Sequence, residues 1–212
     1  MKAVVVERPN EVSYREVQAP AMGADDVLVQ SRAAGLCRTD IEMMTGVFTD
    51  PRWVRFPVIP GHEWAGTVVE VGANVASVAV GDRVVCEGFI VCHRCRRCRS
   101  GETHWCERIE ALGFTRPGGF AELVAVPEQV VHRLPEHVSF DAGVLVEPAS
   151  VVLRGLEKAD PKPGEAHPLA ERRELGRQRL LEEPVPVEHV GERAGVERRE
   201  AGREIGDRAH RS

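Results

Sequence analysis

Short alternations of apolar and polar residues recur through the first 130 residues of the chain. The segments Glu11–Val17 and Val27–Ala33 alternate in the way that is typical of half-buried strands. Further strands are predicted at Ala3–Val6, Trp64–Val71, Asp82–Val85 and Phe120–Val126. Glycine and proline residues separate these segments, and many short strands divided by turns indicate a mainly β fold built as a closed or nearly closed barrel.

Helical patterns are fewer and shorter. One short helix is predicted at Arg38–Thr45, and Ser139 is a suitable N-cap for a second at Phe140–Val146. A third is predicted at Ala149–Lys158, with Pro148 in its first turn. Its apolar face would carry Val151, Val152, Leu153 and Leu156.

The composition changes near residue 160. All ten aromatic residues lie at or before Phe140, whereas 21 of the 49 residues from Gly164 to Ser212 are charged. Such a segment buries too little apolar area to offset its chain entropy. The sequence therefore predicts one domain at residues 1–160 and a charged tail at residues 161–212, disordered or at most a frayed helix around Leu169–Glu183.

The charge balance and the ends of the chain exclude some partners and locations. A net charge of −5 argues against nucleic-acid partners and against a polybasic membrane surface. No stretch is long enough for a secretory signal or a membrane span. We therefore expect a cytosolic protein without a membrane partner, whose six cysteines stay reduced and serve metal binding or catalysis.

Four cysteines have the spacing C-x2-C-x2-C-x7-C: Cys92, Cys95, Cys98 and Cys106. Two-residue gaps let tight turns aim successive sulfurs at one point, and four thiolates close a tetrahedral zinc sphere, so a structural zinc site is predicted. The intervening arginines would offset its negative charge. Four unrelated thiols, a redox pair or an iron–sulfur cluster are the alternatives. Cys86 falls outside the spacing and is interpreted as a small buried hydrophobe.

A second constellation consists of Cys37, His62 and Glu63. A thiolate, an imidazole and a carboxylate would give zinc three protein ligands and leave one position open, as catalytic zinc requires. On spacing alone, however, this signal is weak, because a cysteine and a histidine 25 residues apart could both be core residues.

Five motifs occur in a characteristic order: G-L-C-R-T-D, P-G-H-E-W-A-G-T-V-V-E-V-G, G-D-R-V, the four-cysteine segment and V-E-P at residue 146. This combination resembles the zinc-dependent medium-chain alcohol dehydrogenases, in particular their polyol, sorbitol and threonine dehydrogenase branch. The resemblance covers about residues 1–163 and implies a GroES-like β-barrel with a structural-zinc lobe. It also implies an alcohol or polyol substrate, one catalytic and one structural zinc ion, and NAD(P).

The resemblance implies catalytic zinc ligation by Cys37, His62 and Glu63. Glu147 would face the same zinc, as a ligand or through water, although its simpler reading is a carboxylate in the first turn of a helix.

The same resemblance assigns three neighbouring residues. Asp40 would fix the tautomer of the ligating histidine, and Thr39 would pass the substrate proton toward solvent or cap a helix. Arg38 stands where some relatives contact cofactor phosphate, and a surface arginine is the other reading. The aromatic residues Phe48, Trp53 and Phe56 would either shape the substrate pocket or pack in the core.

The chain departs from the family after Gly164. Relatives continue into a Rossmann domain that begins with a buried strand and G-x-G-x-x-G, but this sequence holds no two glycines separated by one residue. We therefore expect a frameshift or a truncation, and impaired turnover. The alternatives are a non-catalytic, zinc-stabilised β-barrel binding module and a decayed gene product. The family implies a homo-oligomer, but its members associate largely through the Rossmann domain.

Overall fold

The computed structural model describes residues 1–160 of the 212-residue chain. The predicted tail at residues 161–212 lies outside the described residues, so its prediction stays a prediction. Within residues 1–160, no helix is long and apolar enough to cross a membrane.

Nine strands and four α-helices make up the described part of the chain. The strands are β1 (Lys2–Arg8), β2 (Glu11–Glu16), β3 (Asp26–Gly35), β4 (Glu63–Val71), β5 (Arg83–Cys86), β6 (Phe89–Ile90), β7 (Glu110–Ala111), β8 (Leu123–Pro127) and β9 (Val131–Arg133). The helices are α1 (Arg38–Met44), α2 (Arg96–Arg99), α3 (Phe140–Val144) and α4 (Val146–Ala159). Short 3-10 turns lie at Thr103–Trp105 and Glu128–Val130.

A five-stranded antiparallel sheet in the order β8-β3-β4-β5-β9 forms the body of the fold. The β1–β2 hairpin is a separate two-stranded sheet, and it makes single antiparallel bridges to residues outside the strands, from Ala3 to Ala121 and from Val6 to Val58. The short pair β6–β7 stands apart as a third sheet. This mainly β architecture confirms the predicted fold class.

The alternating pattern of the strands is what builds the core. Val27 and Val29 on β3 are fully buried, and they pack with Trp64 and Val68 on β4 and with Val124 on β8. A second cluster forms beneath α1 and includes Met43, Val6, Val58 and Phe114. Burying side chains of this size stabilises the fold by roughly 1.5–3 kcal/mol each.

Most predicted elements are present, with their bounds shifted by one to three residues. Ser139 caps α3 as predicted, since its hydroxyl accepts the backbone N–H of Ala142 at 3.1 Å. The predicted strand Phe120–Val126 begins only at Leu123. α4 begins at Val146, before Pro148, because that proline lies in the first helical turn, where no N–H is needed.

Candidate metal centres

The register of β3 against β4 creates the first candidate site. Gly35, the last residue of β3, pairs with Glu63, the first residue of β4. Cys37 follows the end of one strand and His62 precedes the start of the other, so both meet at the same edge. The ligand atoms of Cys37, His62 and Glu63 all lie within 4.8 Å of one another.

Asp40 is the fully buried residue that ties this edge together. Its Oδ2 accepts the backbone N–H of Cys37 at 3.0 Å, which also caps the start of α1. Its Oδ1 accepts the backbone N–H of Gly61 at 3.3 Å and lies 3.4 Å from Nδ1 of His62. One carboxylate therefore holds the segments that carry both the thiol and the imidazole.

His62 is placed as a metal ligand would be. Its Nδ1 is buried and makes no hydrogen bond of good geometry, although it faces Asp40. Burial lowers the pKa of His62, but the Asp40 carboxylate and Cys37 outweigh that effect and raise it to about 9. A proton on Nδ1 would leave Nε2 free to bind a cation, and the set of thiol, imidazole and carboxylate fits zinc.

The carboxylate of Glu63 fits into a space that only glycine leaves free. A Cβ at Gly35 would lie 2.7 Å from Oε2 of Glu63 and 2.9 Å from Cγ1 of Val144. The glycine therefore lets the carboxylate reach the edge where Cys37 and His62 meet.

The three donors open into a cleft of about 450 Å³. Its walls are mostly apolar and are formed by Gly88, Phe89, Ala111, Phe114, Pro148, Val151 and Val152. The ring of Phe114 lies 5.0 Å from that of His62, centroid to centroid. Sequence reasoning did not assign these residues to a pocket, because they come from three separate segments without a shared motif.

Glu147, at the start of α4, lines the same cleft. Burial raises the pKa of its carboxyl, the negative charges of Glu63 and Asp40 add to that rise, and His62 opposes it. Among the described residues, Glu147 is not one of the donors that lie within 4.8 Å of one another. Glu147 therefore lines the cleft from α4, separately from the three converging donors.

The two residues that follow Cys37 differ in their surroundings: Thr39 lines the cleft, whereas Arg38 is exposed. The hydroxyl of Thr39 lies in the cleft, 3.8 Å from Sγ of Cys37. Arg38 is exposed and pairs with Glu42 along α1, with Nε 2.7 Å from Oε1. Arg38 is not among the residues that line the cleft.

The three aromatic residues considered as pocket-forming do not line this cleft. Phe48 and Phe56 pack against the cluster beneath α1, so their packing interpretation holds. Trp53 lines a different cavity, which it shares with residues of the cysteine segment.

The four remaining metal-type cysteines gather in a lobe between β6 and β7. The sulfurs of Cys92, Cys95, Cys98 and Cys106 lie within 4.8 Å of one another, and those of Cys92 and Cys98 are 4.0 Å apart. A zinc–sulfur bond of 2.3 Å in a tetrahedron requires sulfurs about 3.8 Å apart. The cluster therefore fits a structural zinc site.

Backbone N–H groups point at these sulfurs. Cys95 donates to Cys92, Cys98 to Cys95 and Cys92 to Cys106, with N···S distances of 3.4 to 3.5 Å. Backbone N–H donation, first from Arg94 and then from Cys95, lowers the pKa of the Cys92 thiol to about 6, and donation from Cys98 lowers the pKa of Cys95. Burial, followed by hydrogen bonding with the neighbouring thiols, raises the pKa of Cys98 to about 12.

Cys86 lies outside both clusters. It is the last residue of β5 and is buried in the main core, and burial raises the pKa of its thiol. This placement agrees with its interpretation as a small hydrophobe.

Residues 23–136, which hold all the proposed donors except Glu147, match the alcohol dehydrogenase GroES-like domain. The chain belongs to this family. The match covers more than half of the chain and includes both clusters of candidate metal ligands.

Two proteins with similar sequences are dehydrogenases. D-arabinitol dehydrogenase 1 of Uromyces fabae is 40% identical over 77% of this chain and 46% of its own length. L-threonine 3-dehydrogenase of Chelativorans sp. (strain BNC1) is 38% identical over 70% of this chain and 43% of its own. The chain therefore spans less than half of these relatives.

A solved structure shows the same architecture. A zinc-binding dehydrogenase from Sinorhizobium meliloti 1021, with NADP bound, superposes with a TM-score of 0.69 and is 37% identical. The superposition covers 74% of this chain and 44% of the other.

Proposed function

We propose that this chain is the zinc-binding, substrate-side part of an NAD(P)-dependent alcohol or polyol dehydrogenase. The observation that carries the proposal is the convergence of Cys37, His62 and Glu63 at one end of an apolar cleft. The relatives named for arabinitol and threonine oxidation support a small hydroxylated substrate. The NADP in the Sinorhizobium meliloti structure supports the cofactor class.

Two groups would supply the chemistry when bound. Zinc held by Cys37, His62 and Glu63 supplies the Lewis acidity that favours ionisation of an alcohol, and NAD(P) supplies the hydride acceptor. The four-cysteine lobe would hold a second, structural zinc.

The residues of the chain itself have distinct tasks in this proposal. Thr39 is the catalytic hydroxyl that relays the substrate proton toward solvent, accepting that proton as it gives up its own, since its oxygen lies in the cleft beside Cys37. Asp40 is a positioning residue, because it acts through His62 and the backbone of Cys37. The apolar walls, including Phe89 and Phe114, exclude water and contact the carbon skeleton of the substrate.

Glu147 and Arg38 have more peripheral tasks. Glu147 faces the zinc from α4, and its raised pKa is consistent with a buried carboxyl among like charges. Arg38 would contact a phosphate of the cofactor from the exposed side of α1. Because the six cysteines of the chain are unpaired, we also propose a reducing, cytosolic setting.

Hydride transfer further requires a site for the dinucleotide. The glycine pattern that binds pyrophosphate is not found in the 212-residue sequence. We therefore propose that this chain alone binds zinc but oxidises alcohols weakly or not at all.

Metal analysis of matched variants tests the two-centre proposal. The zinc-loaded chain should hold two zinc ions, Cys37→Ser should lose the one in the cleft, and Cys98→Ser should lose the one in the lobe. One zinc per chain that Cys98→Ser removes and Cys37→Ser leaves would favour a zinc-stabilised binding module over an enzyme.

Turnover of the purified chain tests the second part. Zinc-loaded protein is mixed with xylitol or 2,3-butanediol and NAD⁺ or NADP⁺, and nicotinamide reduction is followed by absorbance. No reduction above that of the Cys37→Ser variant is expected. Clear reduction that disappears in this variant would contradict the proposed impairment and would support the dehydrogenase assignment.

A further inference from the structure

A groove of about 880 Å³ lies between the loop at residues 50–55 and the cysteine lobe. It shares no lining residue with the cleft of Cys37, His62 and Glu63. The proposed dehydrogenase chemistry makes no use of it. We call it the arginine–tryptophan groove, after its lining residues Trp53, Arg55, Arg94, Trp105 and Arg108.

The groove is built on fixed walls. The backbone N–H of Arg55 donates to the carbonyl of Phe114 at 3.0 Å, which ties one rim to the strand region. Elsewhere in the lining, Nε2 of Gln129 donates to the carbonyl of Val91 at 3.0 Å. Ile90 is buried and adds an apolar side chain to the lining.

Three guanidinium groups line the groove without a partner. Within residues 1–160, Arg55, Arg94 and Arg108 form no ion pair. The other charged side chains of the lining are Arg52, which pairs with Asp50, Glu110, which pairs with Arg116, and Glu107. The groove therefore offers three guanidinium groups without an ion-pair partner, beside Glu107 and the cluster cysteines Cys92 and Cys106.

Two indole rings are exposed in the same groove. Trp53 is 39% exposed and Trp105 is 65% exposed, whereas Trp64 is 2% exposed in the core. Large aromatic side chains gain free energy from burial, and their flat faces stack well on planar rings. Exposed indoles beside unpaired guanidiniums thus offer a planar surface and positive charge together.

We propose that the arginine–tryptophan groove binds a phosphate ester carried on a planar aromatic ring, of the size of a nucleoside monophosphate. Guanidinium groups pair with phosphate through parallel N–H···O bonds, which an ammonium cannot reproduce. The volume lies within the range of small-molecule sites. The ligand would place its phosphate among the arginines and its ring against the indoles.

Titration of the zinc-loaded chain with adenosine 5′-monophosphate tests this site. Adenosine and inorganic phosphate serve as the ring alone and the charge alone. Binding is followed by quenching of tryptophan fluorescence and by calorimetry. The monophosphate should bind at least about tenfold more tightly than either fragment, since charge-assisted hydrogen bonds and stacking act together.

Variants assign the binding to the groove. The double variant Arg94→Ala, Arg108→Ala should weaken binding at least about tenfold, and Trp105→Ala should weaken it severalfold and remove most of the quenching. Arg96→Ala is the matched control, because Arg96 is exposed on the same lobe but does not line the groove. It should change the affinity less than about twofold, as expected of an uninvolved surface residue.

The contrary results are equally definite. Equal affinity of the wild type and the double variant would place any binding elsewhere and overturn the proposal. So would equal losses in Arg96→Ala and in the double variant, which would show general charge attraction. Zinc content and circular dichroism of every variant confirm that the lobe remains folded.

Discussion

At the scale of single residues, Asp40 connects the two segments that carry Cys37 and His62. It is buried without a cationic side chain of lysine or arginine, and it contacts Cys37, Gly61 and His62 at once. Removing its charge would loosen both the thiol and the imidazole.

Asp40→Asn is therefore expected to weaken zinc binding in the cleft roughly 10- to 100-fold, the usual effect of losing an outer partner of a ligand. The lobe should keep its zinc. Competition with a chromophoric chelator measures both affinities. Asp50→Asn is the matched control, since Asp50 is near the surface and pairs only with Arg52; an equal loss there would refute the role of Asp40.

Gly35→Ala tests the space around Glu63. The new methyl would meet Oε2 of Glu63 and Cγ1 of Val144, and strain of this kind costs about 1–3 kcal/mol. We expect a lower thermal midpoint and at least a tenfold weaker zinc site in the cleft, roughly the effect of a displaced ligand. Gly155→Ala is the control, because its Cβ has open space within α4: it should leave the zinc affinity unchanged and should not lower the thermal midpoint, since alanine favours a helix over glycine. A loss of zinc affinity in both variants would count against a specific clash with Glu63.

The candidate donors could be predicted from the sequence because each stands in a motif. The contact of Asp40 with Gly61 could not, since it depends on a backbone turn with φ of +96° that only the fold defines. The cleft walls were missed for the same reason. Phe114, for example, reaches His62 only because the chain returns through β7.

At the scale of elements, long alternating segments were predicted well and short ones were not. β3 has ten residues and β4 has nine, so their period is visible in the sequence. β6 and β7 have two residues each and β9 has three, which is too few for any period to appear. β6 and β7 flank the lobe, whereas β9 is the end strand of the five-stranded sheet.

α4 presents an apolar face that the described residues leave exposed. Val151, Val152, Leu153 and Leu156 are each more than half exposed. A contiguous apolar surface of this kind favours self-association.

Leu153→Glu combined with Leu156→Glu should reduce light scattering and dye binding at high protein concentration, without loss of zinc. Val80→Glu is the control, because Val80 is an isolated exposed residue on a turn. If both variants reduce association equally, added charge and not the α4 face explains the result.

At the scale of the whole molecule, the cysteine lobe and the main sheet are stabilised by different groups of residues. The main core of buried residues includes Ile90 and Leu112 at the base of the lobe but none of its four clustered cysteines. Zinc in the lobe would therefore hold the lobe and not the sheet.

Removal of zinc with a chelator is expected to open the lobe to trypsin while the sheet stays protected. The lobe is rich in exposed arginines, so cleavage should fall between residues 92 and 109 and should stop when zinc is restored. Mass spectrometry of the fragments locates the cuts. Cleavage throughout the sheet at the same rate would show that the metal stabilises the whole domain.

The pairing of Gly35 with Glu63 also has a consequence for how the cleft forms. Since side chains alternate between the two faces of a strand, a slip of one residue would turn Glu63 away from Cys37 and His62. A cation bound by all three residues would stabilise the native register of β3 against β4 relative to registers shifted by one residue. Formation of the metal site and correct pairing of these two strands would then occur together.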